Sequence, residues 1–158
     1  MKIRASARWA IVIIAGFGLT AGASAGTPSK KAAYQGGTLA SVETPTVGSL
    51  SALDSDKFVF QHPTGALEIP YGQFNSIEYG QKSKRRLGLS IAVSPLFLLT
   101  KKRKHFLTLS YVDGDGRQQA AVFELGKKIV RTTLAGLEAR TGLMVEYEDD
   151  QARRAAGQ

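Results

Sequence analysis

Residues 106–125 read FLTLSYVDGDGRQQAAVFEL, and no other stretch restricts the fold as much. Leu107, Leu109 and Tyr111 recur at every second position, two Asp-Gly pairs follow, and Ala121, Phe123 and Leu125 then alternate back. A period of two places those side chains on one face, and Asp-Gly suits a tight reversal, so the stretch predicts an antiparallel hairpin with one buried face. Asp113 and Asp115 would also suit calcium, but no Glu stands at the twelfth loop position, and the turn accounts for both.

A lone hairpin is marginal in water and needs further strands or a helix on its apolar face. The chain offers both. GSLSALD and KFVFQH are separated by Ser55-Asp56, with Phe58 and Phe60 alternating against polar neighbours. ALEIPYG puts Leu67, Ile69 and Tyr71 on one face, and NSIEYG does the same for Ile77 and Tyr79. Pro70 cannot donate to a ladder, which predicts that its strand lies at an edge or ends there. From Gly126 the period changes: Ile129, Val130, Thr133, Leu134 and Leu137 form one helical stripe, with Arg140 in the last turn and Gly142 at the C-cap. LMVEYE reads as a short final strand. Six or seven strands in hairpin order, closed by one helix, predict a mainly β fold: bent antiparallel sheets or a partly open barrel capped by a C-terminal helix.

The ends of the chain are of another kind. Lys2, Arg4 and Arg8 precede WAIVIIAGFGL, and Ala23-Ser24-Ala25 precedes Gly26, the layout of a secretory signal over residues 1–25. An uncleaved N-terminal anchor is the rival reading, and either one exports the rest of the chain. The remaining 133 residues (158 − 25) suit one domain. Residues 26–46 read as a flexible linker with a first short strand near 34–40, residues 47–148 as the domain, and residues 149–158 as a disordered tail. The chain has no cysteine, so packing alone must hold an exported domain together, and thiol chemistry and cysteine-ligated metals are excluded.

Charge is concentrated in one place. Between residues 82 and 104 stand eight basic residues and no acidic one: Lys82, Lys84, Arg85, Arg86, Lys101, Lys102, Arg103 and Lys104. The signal holds three of the 21 basic residues, so the remainder carries 18 against 13 acidic, a net +5, of which the other parts supply −3. Between the two basic clusters, residues 87–99 are uncharged, with Leu89, Ile91, Leu96, Phe97 and Leu98 among their large side chains. A helix of thirteen residues is too short for a hydrocarbon core of about 30 Å. Folded back at Ser94-Pro95, each arm would extend roughly 20 Å and reach one leaflet. Burying the eight large apolar side chains would contribute at most about 12–24 kcal/mol, and lysine and arginine stems can extend to headgroups. The same segment also suits self-packing against its own domain, or a protein partner or second copy. Basic clusters beside apolar segments usually stay cytoplasmic, which makes an exported one unusual. Nucleic acid is not expected, since an apolar stretch between the clusters does not suit a phosphate-tracking groove.

Catalytic chemistry has little to work with. The two histidines, His62 and His105, have no nucleophile elbow, phosphate loop or metal-ligand spacing near them. Glu68, Glu78 and Glu124 alternate with apolar positions in strand patterns and so belong on a solvent face. His105 stands at a strand edge beside four positive charges, which disfavour its protonation. No cofactor or metal is expected, nor an enzyme.

IPYGQFNSIEYGQ, KKRKHFLTLSYVDGDGRQQAAVFELGK and RTTLAGLEARTG resemble segments of a group of uncharacterised secreted bacterial proteins. Their layout is similar to pleckstrin-homology-like or GRAM-like domains, and the resemblance covers about residues 34–148. It implies two bent antiparallel sheets and a C-terminal helix. Eukaryotic domains of this kind often bind inositol lipids through basic residues of an early hairpin. Here the basic residues flank an insertion in a middle hairpin, so that specificity is not implied. The expectation is an exported, non-catalytic module, periplasmic or secreted, that meets an anionic membrane surface through residues 82–104. The alternative is an envelope-protein partner or self-association through the same element.

Overall fold

The computed structural model describes residues 30–81, 92–93 and 104–157. Nine strands form one sheet: β1 (Lys30–Gly37), β2 (Thr46–Ser51), β3 (Lys57–His62), β4 (Gly65–Pro70), β5 (Phe74–Gly80), β6 (Ala92–Val93), β7 (His105–Val112), β8 (Gln118–Leu125) and β9 (Val145–Tyr147). Eight follow the order β4-β3-β2-β1-β8-β7-β5-β9, and β6 pairs with β1 off that path. Every pairing is antiparallel except that of β9 with β5. The fold is mainly β, an open and mostly antiparallel sheet with a C-terminal helix.

The sheet is strongly curled. In a flat sheet β4 and β5 would lie six spacings apart, about 29 Å. The chain passes from Pro70 to Phe74 through the single 3-10 turn Tyr71–Gln73, and four residues span at most about 14 Å. The aromatic side chains agree. Phe58 and Phe60 of β3 lie with ring centroids 5.7 and 5.0 Å from Phe123 of β8, and Phe58 lies 6.3 Å from Phe74 of β5. The alternation in the sequence delivers these rings to the concave side: Phe58, Phe60, Leu107, Leu109 and Phe123 are fully buried. β4 is an edge strand, as Pro70 requires.

Helix α1 (Val130–Thr141) lies against this interior through Val130, Thr133, Leu134 and Leu137. Gly142 ends it in the left-handed region at φ 71°, its N–H donating to the Glu138 carbonyl at 3.0 Å. Arg140 donates from Nε to the Ala52 carbonyl at 3.1 Å and from Nη2 to the Leu53 carbonyl at 2.9 Å, with its guanidinium 5.8 Å from the Tyr71 ring centre. One side chain thus joins the helix to the β2–β3 connection and the β4–β5 turn. Glu138 Oε1 accepts the Val145 N–H at 3.0 Å and positions β9.

Three sequence expectations differ. The first strand is not a short piece near 34–40 inside a linker: β1 begins at Lys30 and lies between β2 and β8 in the middle of the sheet. Its composition (KKAAYQGG) carries one large apolar residue, Tyr34, which is fully buried. The residues beyond 149 are not a frayed tail either. Asp150–Ala156 forms helix α2, capped by Asp149 Oδ1 accepting the Ala152 N–H at 2.7 Å. Seven residues are too few for an isolated helix. Ala152 and Ala156, four positions apart, bury against the core, and Arg153 stacks 5.5 Å over Tyr147. The helix count is therefore two at the C-terminal end.

Gly37 is required by close approach. A Cβ there would sit 2.1 Å from the Ala120 carbonyl oxygen and 2.7 Å from the Tyr34 hydroxyl. Gly37→Ala should therefore lower the unfolding free energy by about 1–3 kcal/mol, read as the shift in a urea midpoint at unchanged slope. Alkali should act on the core tyrosines. Burial pushes Tyr34, Tyr79 and Tyr111 up to about 12 from 10.0. Since the folded state holds the neutral phenols, their contribution is complete below pH 10 and is lost as pH rises towards 12. Phenolate absorbance should then appear together with loss of the β-sheet circular dichroism, not before it.

Candidate surface-contact site at the root of the apolar segment

Twelve of the residues expected to meet a surface lie outside the described residues: Lys82, Lys84, Arg85, Arg86, Leu89, Ile91, Leu96, Phe97, Leu98, Lys101, Lys102 and Arg103. The structure describes the frame that holds them. β5 ends at Gly80 and β7 begins at His105, and Gly80 pairs directly with Phe106. Two adjacent antiparallel strands need only a tight turn to join them; here they flank residues 82–103. Within that span, Ala92 and Val93 pair with Gly37 and Gly36 of β1. The strand therefore sits directly before Ser94-Pro95, where the sequence predicts a tip.

Lys104, the remaining member of the expected set, is engaged within the domain. Its Nζ donates to Glu124 Oε2 at 2.8 Å, and Gln35 Nε2 donates to the same oxygen at 2.9 Å. Lys104 and Glu124 keep a third and a quarter of their side-chain surface exposed, so the pair positions the root of the segment more than it stabilises the fold. Glu124 points away from the core, as the alternation requires, between the inward-facing Phe123 and Leu125.

Beside Lys104 the sequence reading missed a buried polar pair. The Tyr79 hydroxyl and His105 Nδ1 share a hydrogen bond of 2.5 Å, the two rings stacking with centroids 6.1 Å apart, and Tyr147 meets Tyr79 edge-on at 6.1 Å. Burial lowers the His105 pKa, and Lys127 lowers it further. The cause therefore differs from the expected one: desolvation leads, and the named cation is Lys127. The partners are 26 positions apart in sequence. Only the β5–β7 register, in which Tyr79 faces Leu107, brings them together. His62 lies elsewhere, stacked on Phe60 at 5.8 Å with Nδ1 3.0 Å from the Thr64 hydroxyl.

Two of the three strand carboxylates are taken up in ion pairs, Glu68 on the β4 edge with Lys57 at 2.6 Å and Glu124 on β8 with Lys104 at 2.8 Å. Asp113 accepts the turn N–H groups of Asp115 and Arg117 at 3.0 and 2.9 Å, which holds its carboxyl below the usual range together with the Gln119 amide, the largest cause. Among the described residues no group of three or more His, Asp or Glu is placed to hold a metal ion, and no helix is long and apolar enough to cross a membrane. An open cleft of about 230 Å³ lies between Val47 and Glu124, with Lys31 and Glu124 as its charged walls.

The charge partition is sharp. The described residues hold all 13 acidic residues, while residues 82–103 hold seven basic residues and no acid. The described residues carry 11 basic residues, a net −2.

Since the folded state disfavours the His105 imidazolium, its contribution to stability is complete above the ordinary imidazole pKa of about 6.5 and is lost as pH falls below it. A nuclear magnetic resonance titration should place the His105 midpoint below about 6.5, and Tyr79→Phe, which removes the neighbouring hydroxyl, should move it. No protein-family model matches this chain, and no curated protein matches it.

Proposed function

We propose that the chain is an exported, non-catalytic module of pleckstrin-homology-like architecture that attaches to an anionic membrane surface through the element at residues 82–104. The charge partition carries this reading: seven basic residues without an acid between 82 and 103, on a scaffold of net −2. The frame adds to it. The segment leaves and re-enters at adjacent strand ends, Gly80 and His105, so the clusters at 82–86 and 101–104 start from one end of the sheet. Each cation near an anionic leaflet contributes about 1 kcal/mol, and seven together are enough for a salt-sensitive attachment. The runs β4-β3-β2-β1 and β8-β7-β5, followed by α1, support the proposed architecture. The leader at residues 1–25 supports export to the periplasm or beyond.

Flotation of the protein, produced from its full-length chain, with neutral and with anionic vesicles tests the reading. Binding should appear on the anionic vesicles alone. It should fall steeply as salt rises from about 0.1 to about 1 M and the screening length shrinks from about 10 to about 3 Å. Replacing Lys82, Lys84, Arg85 and Arg86 by Gln should weaken it at least about tenfold with the circular dichroism unchanged. Equal flotation with both vesicles, or indifference to those four substitutions, would remove the support for an electrostatic surface element.

A further inference from the structure

The lysines and arginines of the described residues are engaged unevenly. Lys57, Lys104 and Arg117 are paired with Glu68, Glu124 and Asp115. Arg140 donates to two backbone carbonyls, and Arg153 lies over the Tyr147 ring. Lys31, Lys127, Lys128, Arg131 and Arg154 are different. All five are exposed, and among the described residues none of them has an ion pair or a side-chain hydrogen bond. They also stand together. A Cβ on Gly126 would sit 3.6 Å from the Lys31 carbonyl oxygen, and Lys127 and Lys128 follow Gly126 in the 3-10 turn Lys127–Ile129. Arg131 lies in the first turn of α1, where a Cβ on Gly157 would meet its Cδ at 3.4 Å. The Gly157 N–H donates to the Arg154 carbonyl at 3.1 Å, which brings the last turn of α2 alongside.

The nearby acids do not answer this cluster. Glu124 already accepts from Lys104 and Gln35. Asp54 belongs to the turn beside Arg140, at the far end of α1 and about 18 Å along it. Asp149 and Asp150 stand at the start of α2, about 10 Å from Gly157. The fold does not call for the arrangement either. Carboxylates suit the first turn of a helix and cations its last, because the N-terminal end of the macrodipole is positive. α1 has no acidic residue in its first turn and no side-chain cap, and Lys127, Lys128 and Arg131 surround its start. Cations gathered at a positive pole repel it and one another, so their complement is a negative charge from outside the domain. This end of the sheet is also where Leu125 faces His105 and Gly80 faces Phe106.

We propose that Lys31, Lys127, Lys128, Arg131 and Arg154 form a contact of the folded domain with an anionic lipid leaflet, so that this end of the sheet faces the membrane. The Asp113–Arg117 turn then points away from it, since the eight-residue strands β7 and β8 separate the two by about 26 Å. Exposed cations drawn from a strand, a 3-10 turn and two helices suit an extended array of headgroups better than one small anion. The inference rests on the surface-attachment reading above, and adds to it a site outside residues 82–104.

The same flotation, with vesicles of phosphatidylcholine alone and with added phosphatidylglycerol, tests it. Lys127→Gln with Lys128→Gln should weaken binding to the anionic vesicles about tenfold or more, with the circular dichroism unchanged and the thermal midpoint no lower. Lys57→Gln with Arg117→Gln removes the same charge elsewhere and should change binding less than about twofold. The chain has no cysteine, so a polarity-sensitive fluorophore can be placed singly. On Lys128→Cys it should turn blue with the anionic vesicles, and on Asp115→Cys it should not. Flotation that survives loss of Lys127 and Lys128 but not of Lys82, Lys84, Arg85 and Arg86 would overturn the patch and leave the surface reading standing. Flotation lost with the Lys127 and Lys128 pair alone would uphold the patch and remove the reading centred on residues 82–104. A protein that does not float, yet binds polyglutamate through Lys127 and Lys128, would overturn the lipid contact in favour of a soluble polyanion.

Discussion

The fold depends on one contact made far apart in the sheet, that of Phe58 and Phe60 on β3 with Phe123 on β8. Three strand spacings separate these residues along the ladder, so their rings meet only because the sheet curls. Once it curls, the rest is constrained. β4 and β5 come close enough for a three-residue turn, Phe74 closes on Phe58, and the open flank takes one helix. Aromatic side chains suit this work, since each buries about 150–250 Å² and prefers the tilted contacts seen here. Without a disulfide the curl has no covalent brace. Arg140 serves as a polar one, donating to two carbonyls of the β2–β3 connection from the last turn of α1.

How much of this was legible follows from where the information lies. β3, β7, β8 and α1 were readable because their own side chains alternate or recur with the period of the element, and the burial follows that pattern. β1 was not, because a central strand of small residues takes its conformation from the partners on both edges. Tyr34 was its only large apolar signal. α2 was hidden for a related reason. Its cap Asp149 and its terminal Gly157 were present in the sequence, but the helix exists through two alanines that meet the core. The Tyr79–His105 pair could not be found without the β5–β7 register, and neither could the Lys104–Glu124 pair without that of β7 and β8. Long-range pairing is the common missing quantity.

A sheet with one occupied face ordinarily shows polar residues on the other. Here the convex rows of β5, β7 and β8 read Ser76, Glu78, Gly80, then Phe106, Thr108, Ser110, then Ala120, Val122, Glu124. That is neither a charged solvent face nor a core. It is a face of mostly small residues in which Phe106 and Val122 stand beside the carboxylates Glu78 and Glu124. An insertion between β5 and β7 costs little in itself, because closure entropy grows only by about 0.6 kcal/mol for each doubling of loop length.

The same rows bear on which charges would reach a membrane. Glu124 on the convex side already accepts from Lys104 and Gln35. Glu78 stands opposite Glu146 across β5 and β9, two carboxylates at one ladder position, where like charges repel. Three carboxylates on this face stand against seven cations between residues 82 and 103. Even if every one of them held a partner from the segment, most of the positive charge would remain without a carboxylate on that side of the sheet. The positive charge of residues 82–103 therefore exceeds what the carboxylates of this face could neutralise.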